Sequence, residues 1–196
     1  MSRGQTKTDN HNPGAKLALR RYFLRRYHGT GDIRVLDCCQ GSARIWSRLR
    51  TEFTLASYWG VDVKPLRGRL SLESQRILGQ PGWRENVVDV DTYGSPWKHW
   101  FAILTNCDHD VTVFLTIGQW QIGADKLILR ALDLGDLKIP PGIAVKLHDS
   151  GTDGCIASVS QFGFKISEAA EADNPHGNAR YIGVRLVKTD TPNASG

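Results

Sequence analysis

Two carboxylates two positions apart, Asp89 and Asp91, followed by Thr92, Tyr93, Gly94, Ser95 and Pro96, are the side chains in this sequence best suited to chemistry. They close a β-branched stretch that begins at Val87. Ser95-Pro96 is a helix-start pair, with the hydroxyl as N-cap and the ring at the first helical position. The polar cluster is therefore expected where a buried strand ends and a helix begins, which in open α/β sheets is where ligands bind. An exocyclic amine on a flat ring is a poor nucleophile because its lone pair is delocalised. A carboxylate that accepts its N–H bonds aims the lone pair and stabilises charge developing on nitrogen. Asp91 suits that task, and Tyr93 could stack on the ring or lie against a cation. Asp89 points the same way as Asp91 but deeper, since side chains two apart on a strand share a face. The two acids could instead cap the next helix. Ser95 already supplies a cap, and a carboxylate buried without a partner is costly, so a chemical role is favoured.

The elements that must position these residues follow from periodicity. Ala15, Leu19, Phe23 and Tyr27, at four-residue spacing, predict a helix over Ala15–Tyr27. Ile33–Cys38 reads as a short buried strand, and Gly41-Ser42 turns into a helix carrying Ile45, Trp46, Leu49 and Phe53. Tyr58–Val63 is a second strand. Arg69–Glu73 is a weaker third, followed by a short helix from Ser74 to about Gly79. Val87–Val90 is the fourth strand, and its helix, Pro96–Cys107, buries Trp97, Trp100, Phe101 and Leu104. Val111–Ile117 is an unbroken apolar strand, and Ala124–Leu134 a helix closed by Gly135. Short helices are expected within Ile139–Phe164. Phe164–Ala172 and Arg180–Lys188 then form a hairpin across the turn formers at 174–178. Strands alternating with helices predict an α/β Rossmann-like fold: a mostly parallel seven-stranded sheet, helices on both faces and a C-terminal antiparallel hairpin. One domain over residues 14–190 is expected, between tails at 1–13 and 191–196.

The 196 residues are 40% apolar, enough for a full-sized core. No apolar run reaches membrane-spanning length and Met1–Asn12 is polar, so neither a membrane span nor a secretory signal is expected. Cys38, Cys39, Cys107 and Cys155 show no disulfide-framework or metal-ligand spacing. They read as reduced thiols of a cytoplasmic protein. His148-Asp149 with Asp153 and Cys155 fits no standard metal site, and no metal is expected. His28, His99, His109 and His176 read as surface or helix-end residues. The net charge of +5 permits a nucleic-acid partner. Lys16, Arg20, Arg21, Arg25 and Arg26 crowd one segment, and Arg44, Arg48 and Arg50 another. Either is a solvated helix face or a phosphate-tracking patch.

The stretch Val35-Leu36-Asp37-Cys38-Cys39-Gln40-Gly41-Ser42-Ala43 resembles the Asp-x-Phe-x-Gly-Ser-Gly turn of class I S-adenosylmethionine-dependent methyltransferases. Asp37, Gly41 and Ser42 match; Cys39 stands at the Phe position and Ala43 at the last glycine. Asp89–Pro96 is similar to the Asp-x-Asp-Pro-Phe-Gly-Ser-Pro signature of tRNA guanine-N2 dimethyltransferases, and more loosely to the motif of amino-group N-methyltransferases. Thr92 replaces its proline. The resemblance implies S-adenosylmethionine as cofactor, bound by Asp37, Cys38, Cys39, Gln40 and Gly41 and by Asp62 and Val63 at the second strand end. Glu73 and Ser74 near adenine, together with Asp89, complete the expected set. An acid at Asp62 can accept both ribose hydroxyls. Asp91, Tyr93, Asp89 and Thr92 are the expected catalytic group, with Thr116-Ile117-Gly118-Gln119 as a candidate pocket wall.

The function expected on these grounds is methyl transfer to an exocyclic amine of a nucleobase in RNA or DNA. Lys16, Arg20, Arg21 and Arg25 would dock the nucleic acid, with a partner protein as another source of specificity. A base in duplex DNA would have to flip out. Two alternatives stay open: a small-molecule amine as acceptor, and a non-catalytic module that binds S-adenosylmethionine.

Overall fold

The computed structural model describes residues 12–29, 31–65, 70–92, 95–118, 151–173 and 179–189. In chain order these form α1 (Pro13–Tyr27), β1 (Ile33–Asp37), α2 (Arg44–Leu49), β2 (Leu55–Asp62), β3 (Leu70–Ser71), α3 (Gln75–Leu78) and β4 (Val87–Val90). Then come α4 (Trp97–Asn106), β5 (Val111–Gly118), a helical stretch at 151–157 continued by a 3-10 turn Ser158–Phe162, β6 (Phe164–Ala172) and β7 (Ala179–Lys188). The strands make one seven-stranded sheet in the order β3-β2-β1-β4-β5-β7-β6. β1 to β5 pair in parallel; β7 runs antiparallel to β5 and β6.

Alternation along the strands divides the core in two. Leu36, Val61, Val88, Val90, Val113 and Leu115 face α3 and α4, where Trp97 and Trp100 are buried as expected. The other face carries Ile33, Val35, Val87, Phe114 and Tyr181 and is covered by α1 and α2 through Leu17, Phe23, Trp46 and Leu49. α1 sits close to the sheet: a Cβ on Gly183 of β7 would stand 2.5 Å from the Phe23 ring, so only glycine fits beneath it.

Pro13, assigned to the tail by composition, opens α1. Asn12 caps the helix, its side-chain oxygen accepting the Ala15 N–H at 3.0 Å. α4 begins one residue later than the Ser95 cap predicts. Pro96 takes the cap position, and Ser95 Oγ accepts a long 3.4 Å bond from the Trp97 N–H. The predicted helix at 124–134 and the tails at 1–11 and 191–196 lie outside the described residues, as does Gln119, the last residue of the strand-end segment Thr116–Gln119.

Candidate active site

The turn after β1 is stitched between its neighbours. Cys38 N–H donates to the Asp89 carbonyl at 2.8 Å and Gln40 N–H to the Val61 carbonyl at 3.0 Å. Gly41 adopts φ +51° and Ala43 φ +55°, so the glycine conformation of the motif persists where alanine has replaced glycine. For a residue with a Cβ this costs about 1–2 kcal/mol. Asp62, at the end of β2, accepts the Gly41 N–H at 3.0 Å and the Lys64 N–H at 2.9 Å. The turn and the β2 acid expected to share one ligand are therefore in contact. Val63 is two-thirds exposed beside them.

Three acids stand on the α1-facing side of the sheet. Asp37 and Asp89 are paired in register on β1 and β4, and Asp91 follows two residues on. Arg20 Nε and Nη2 grip Asp89 at 2.7 and 2.5 Å, and Trp46 Nε1 donates to the same carboxylate at 2.7 Å. Lys16 Nζ donates to both oxygens of Asp91, at 2.7 and 2.8 Å, and lies 4.9 Å from the Tyr181 ring centre. Two cations thus answer two anions, and the third acid has no cation of its own. Burial, with the Asp89 charge beside it, pushes the Asp37 carboxyl up to about 8, against the Tyr58 hydroxyl that donates to it at 2.7 Å. At neutral pH the cluster is then close to electroneutral: two ion pairs and one protonated acid. Burial also acts to raise Asp91, but Lys16 and Arg20 outweigh it and, with a Thr116 hydrogen bond, hold the group below the usual carboxylate range.

These contacts revise several expectations. Lys16 and Arg20, read as nucleic-acid contacts, are each only 2% exposed and neutralise buried carboxylates. A charge committed inside the fold cannot track phosphate. Asp89, expected among the catalytic and cofactor-binding residues, is 2% exposed and bonded to Arg20 of α1 and Trp46 of α2. His99, read as a surface or helix-end residue, is buried, and burial lowers it to about 4. Its Nε2 meets Ser74 Oγ at 2.8 Å, so Ser74 faces α4 from beneath the third strand's end while Glu73 is exposed. Burial raises Cys38 well above the ordinary thiol range and Cys39 to about 12, which disfavours the thiolate form of both. Tyr93 and Gly94 lie outside the described residues. Asp91 is the exposed member of its pair, its side chain 27% accessible against 3% for Lys16.

Trp46 and Tyr58 contact the acids although sequence reading did not bring them there, whereas Thr116, expected in a pocket wall, bonds Asp91. Trp46 had a signal only as an apolar helix residue, because an indole N–H is not visible in a hydrophobic pattern.

S-adenosylmethionine, the cofactor the turn implies, can be tested against what surrounds it. Among the described residues, Gln40 Oε1 in the turn after β1, and Thr92 Oγ1 and Trp97 Nε1 after β4, are buried polar atoms without a hydrogen-bond partner. Buried polar groups are normally paired. Trp83 Nε1, His99 Nδ1 and Thr152 Oγ1 are likewise unpartnered elsewhere in the fold. The atoms that fit a polar ligand across the β1 and β4 ends are therefore Gln40 Oε1 and Thr92 Oγ1, which sit in the segments directly following those strands. No group of His, Cys, Asp and Glu able to hold a metal ion occurs among the described residues.

The strand order and terminal hairpin are those of the Rossmann-like methyltransferase fold. The chain superposes on Trm1 from Pyrococcus horikoshii, solved with S-adenosyl-L-methionine, with TM-score 0.64 and 13% identity. That match covers 93% of this chain and 56% of Trm1, so this chain spans little more than half of that protein. A Streptococcus thermophilus protein described as a hemolysin gives TM-score 0.61 at 14% identity, covering 98% of this chain and 70% of its own. A Clostridium thermocellum protein described as an rRNA-methylase gives 0.53 at 11%, covering 89% and 97%. No protein-family model and no curated protein sequence matches the chain.

Proposed function

We propose that this chain is an S-adenosylmethionine-dependent N-methyltransferase acting on an exocyclic amino group of a nucleobase in RNA or DNA. The observation that carries the reading is Asp91, a partly exposed carboxylate at the C-terminal end of β4, kept ionised by Lys16. A structural neighbour solved with the cofactor and another described as an rRNA-methylase support it. The cofactor, when bound, supplies an electrophilic methyl group on a sulfonium. The residues that would hold it are the 37–43 turn and Asp62.

Asp91's part is electrostatic. A carboxylate offers about four lone-pair sites. Lys16 takes two and Thr116 a third, which leaves room for one N–H of an acceptor amine. Because Lys16 keeps the group a strong acid, it serves as a hydrogen-bond acceptor that orients the amine and not as a proton sink at neutral pH. Tyr93 is assigned the face of the acceptor ring.

The test is transfer of a labelled methyl group to RNA and DNA by wild type and Asp91→Asn, with cofactor affinity measured by calorimetry. Loss of about 100-fold or more in rate at unchanged cofactor affinity is the expected result. Full activity of Asp91→Asn on every accepted nucleic acid would defeat the mechanism. The two-oxygen hold of Lys16 on Asp91 favours, as a second reading, a module that binds the cofactor without catalysis; transfer to no acceptor despite tight binding would select it. Transfer only to small amines would select a metabolite acceptor.

A further inference from the structure

α1 carries cations on two sides, and the structure gives them different fates. Lys16 and Arg20 are turned inward and neutralised. Arg21, Arg25 and Arg26, with Ala18 and Tyr22, form an open stripe along the opposite side of the helix. α2 lies beside α1 with Trp46 and Leu49 inward and Arg44 and Arg48 exposed. These two are four residues apart and therefore share one stripe of the helix. Glu52 ties the two arginine rows into a single face. Arg21 donates to both its oxygens, and that bond, with the charges of Arg21, Arg25 and Arg48, holds it below the usual carboxylate range.

Two acids meet this face: Glu52 faces Arg21, Arg25 and Arg48, and Glu168 takes up Arg26 at 2.6 Å and the Tyr22 hydroxyl. Arg25, Arg44 and Arg48 have no ion-pair partner among the described residues. Two of these cations stand on each of two neighbouring helices, Arg21 and Arg25 on α1 and Arg44 and Arg48 on α2. Both helices begin at the end of the sheet that carries Asp62 and Asp91. From Lys16, which touches Asp91, to Arg25 the rise along α1 is about 14 Å.

We infer that the outer face of α1 and α2, built by Arg21, Arg25, Arg44 and Arg48, is a phosphate track that receives the backbone of a single-stranded RNA segment and leads it to Asp91. This rests on the nucleic-acid reading above and adds where the chain lies. The charge complementarity is to phosphodiesters, which planar guanidinium groups bind bidentately. RNA is the occupant because an unpaired loop base can enter a strand-end pocket without first leaving a duplex stack. Arg21 is already shared with Glu52, so Arg25, Arg44 and Arg48 make the larger contribution.

The experiment measures binding of the full chain to an RNA hairpin with an unpaired loop, by fluorescence anisotropy over a series of salt concentrations. Wild type is compared with Arg25→Gln, Arg48→Gln, the double variant and Arg84→Gln, an exposed arginine just before the opposite end of β4. Each track substitution should weaken binding several-fold at low salt. Each should also reduce the slope of log affinity against log salt by roughly 0.7 for a lost phosphate contact. Arg84→Gln should bind as wild type does, and calorimetry should show unchanged cofactor affinity in all variants. Wild-type binding that the double variant retains in full overturns the track while leaving the RNA reading standing. A wild type that binds and methylates neither RNA nor DNA overturns the nucleic-acid reading and the track with it. Tighter binding to duplex DNA, to an acidic peptide or to anionic vesicles than to the hairpin overturns RNA as the occupant.

Discussion

The inner and outer sides of α1 hold the same kind of residue and do opposite things. Arg20 and Arg21 are sequence neighbours. Arg20 is almost completely buried in a two-pronged grip on Asp89, whereas Arg21 stands a third exposed on Glu52. Helical geometry turns successive residues by about 100°, so adjacent cations are delivered to different solvents. Inside, desolvation makes every missing partner expensive, and each cation is matched to an acid. Outside, water screens the charges, and an excess can be kept for a ligand. A basic cluster in one dimension is thus two structures in three.

Substitutions should separate the two sides. The largest effect is expected from Arg20→Met, which leaves Asp89 buried and unpaired: destabilisation of about 3–5 kcal/mol, read from urea unfolding. Arg20→Met combined with Asp89→Leu should recover most of it, because an apolar pair replaces the ion pair. If the single variant unfolds like wild type, the inner row is not the structural one.

The uncompensated acid gives a pH test. Asp37 binds its proton more tightly folded, near 8, than unfolded, near the ordinary Asp value. Its contribution is complete below about pH 4 and is lost as pH rises to 8. The slope in that window is on the order of 1 kcal/mol per pH unit, scaled from the full linkage value. Asp37→Asn should flatten the decline in melting temperature across pH 5–8; an equal decline in both proteins would mean that Asp37 is not the source.

Lys16→Met should cost less, about 2 kcal/mol, since Asp91 is partly exposed and water can replace the ammonium. Asp91 is depressed in the folded state, so its stabilisation is present above pH 4 and lost as pH falls. Without Lys16 the acid-unfolding midpoint should move to higher pH, measured by circular dichroism. The smallest effect belongs to the outer side: Arg25→Gln and Arg48→Gln should leave the melting temperature unchanged while weakening RNA binding. A stability loss there comparable to Lys16→Met would erase the distinction between the sides.

The strands were legible because their apolar runs are long relative to the turns that bound them. Val87–Val90 and Phe164–Ala172 occur at the predicted boundaries. β3 shrank to Leu70–Ser71, an edge element with little apolar signal of its own. In the site, the proximity of the β1 turn to Asp62 was readable because both are strand ends of neighbouring units. The partners of the acids were not. Lys16–Asp91 and Arg20–Asp89 join residues 75 and 69 positions apart, and local periodicity carries no information about which cation will lie over which strand. His99 shows the same limit: its place in the first turn of α4 was visible, its burial against Ser74 was not.

The sequence by itself determined the alternation of strands and helices, the C-terminal hairpin and the placing of Asp37, Asp62, Asp89 and Asp91 at or near strand ends. Those follow from periodicity and from turn chemistry, which are local. Only the tertiary structure decided which acid is buried in its ion pair, which is partly exposed in one and which is left without a cation of its own. Those outcomes depend on desolvation and on charges brought together across the sheet by α1. Asp91 therefore keeps the accessible, ionised role, and Asp89, of the same type on the same strand face, becomes an anchor for the helix.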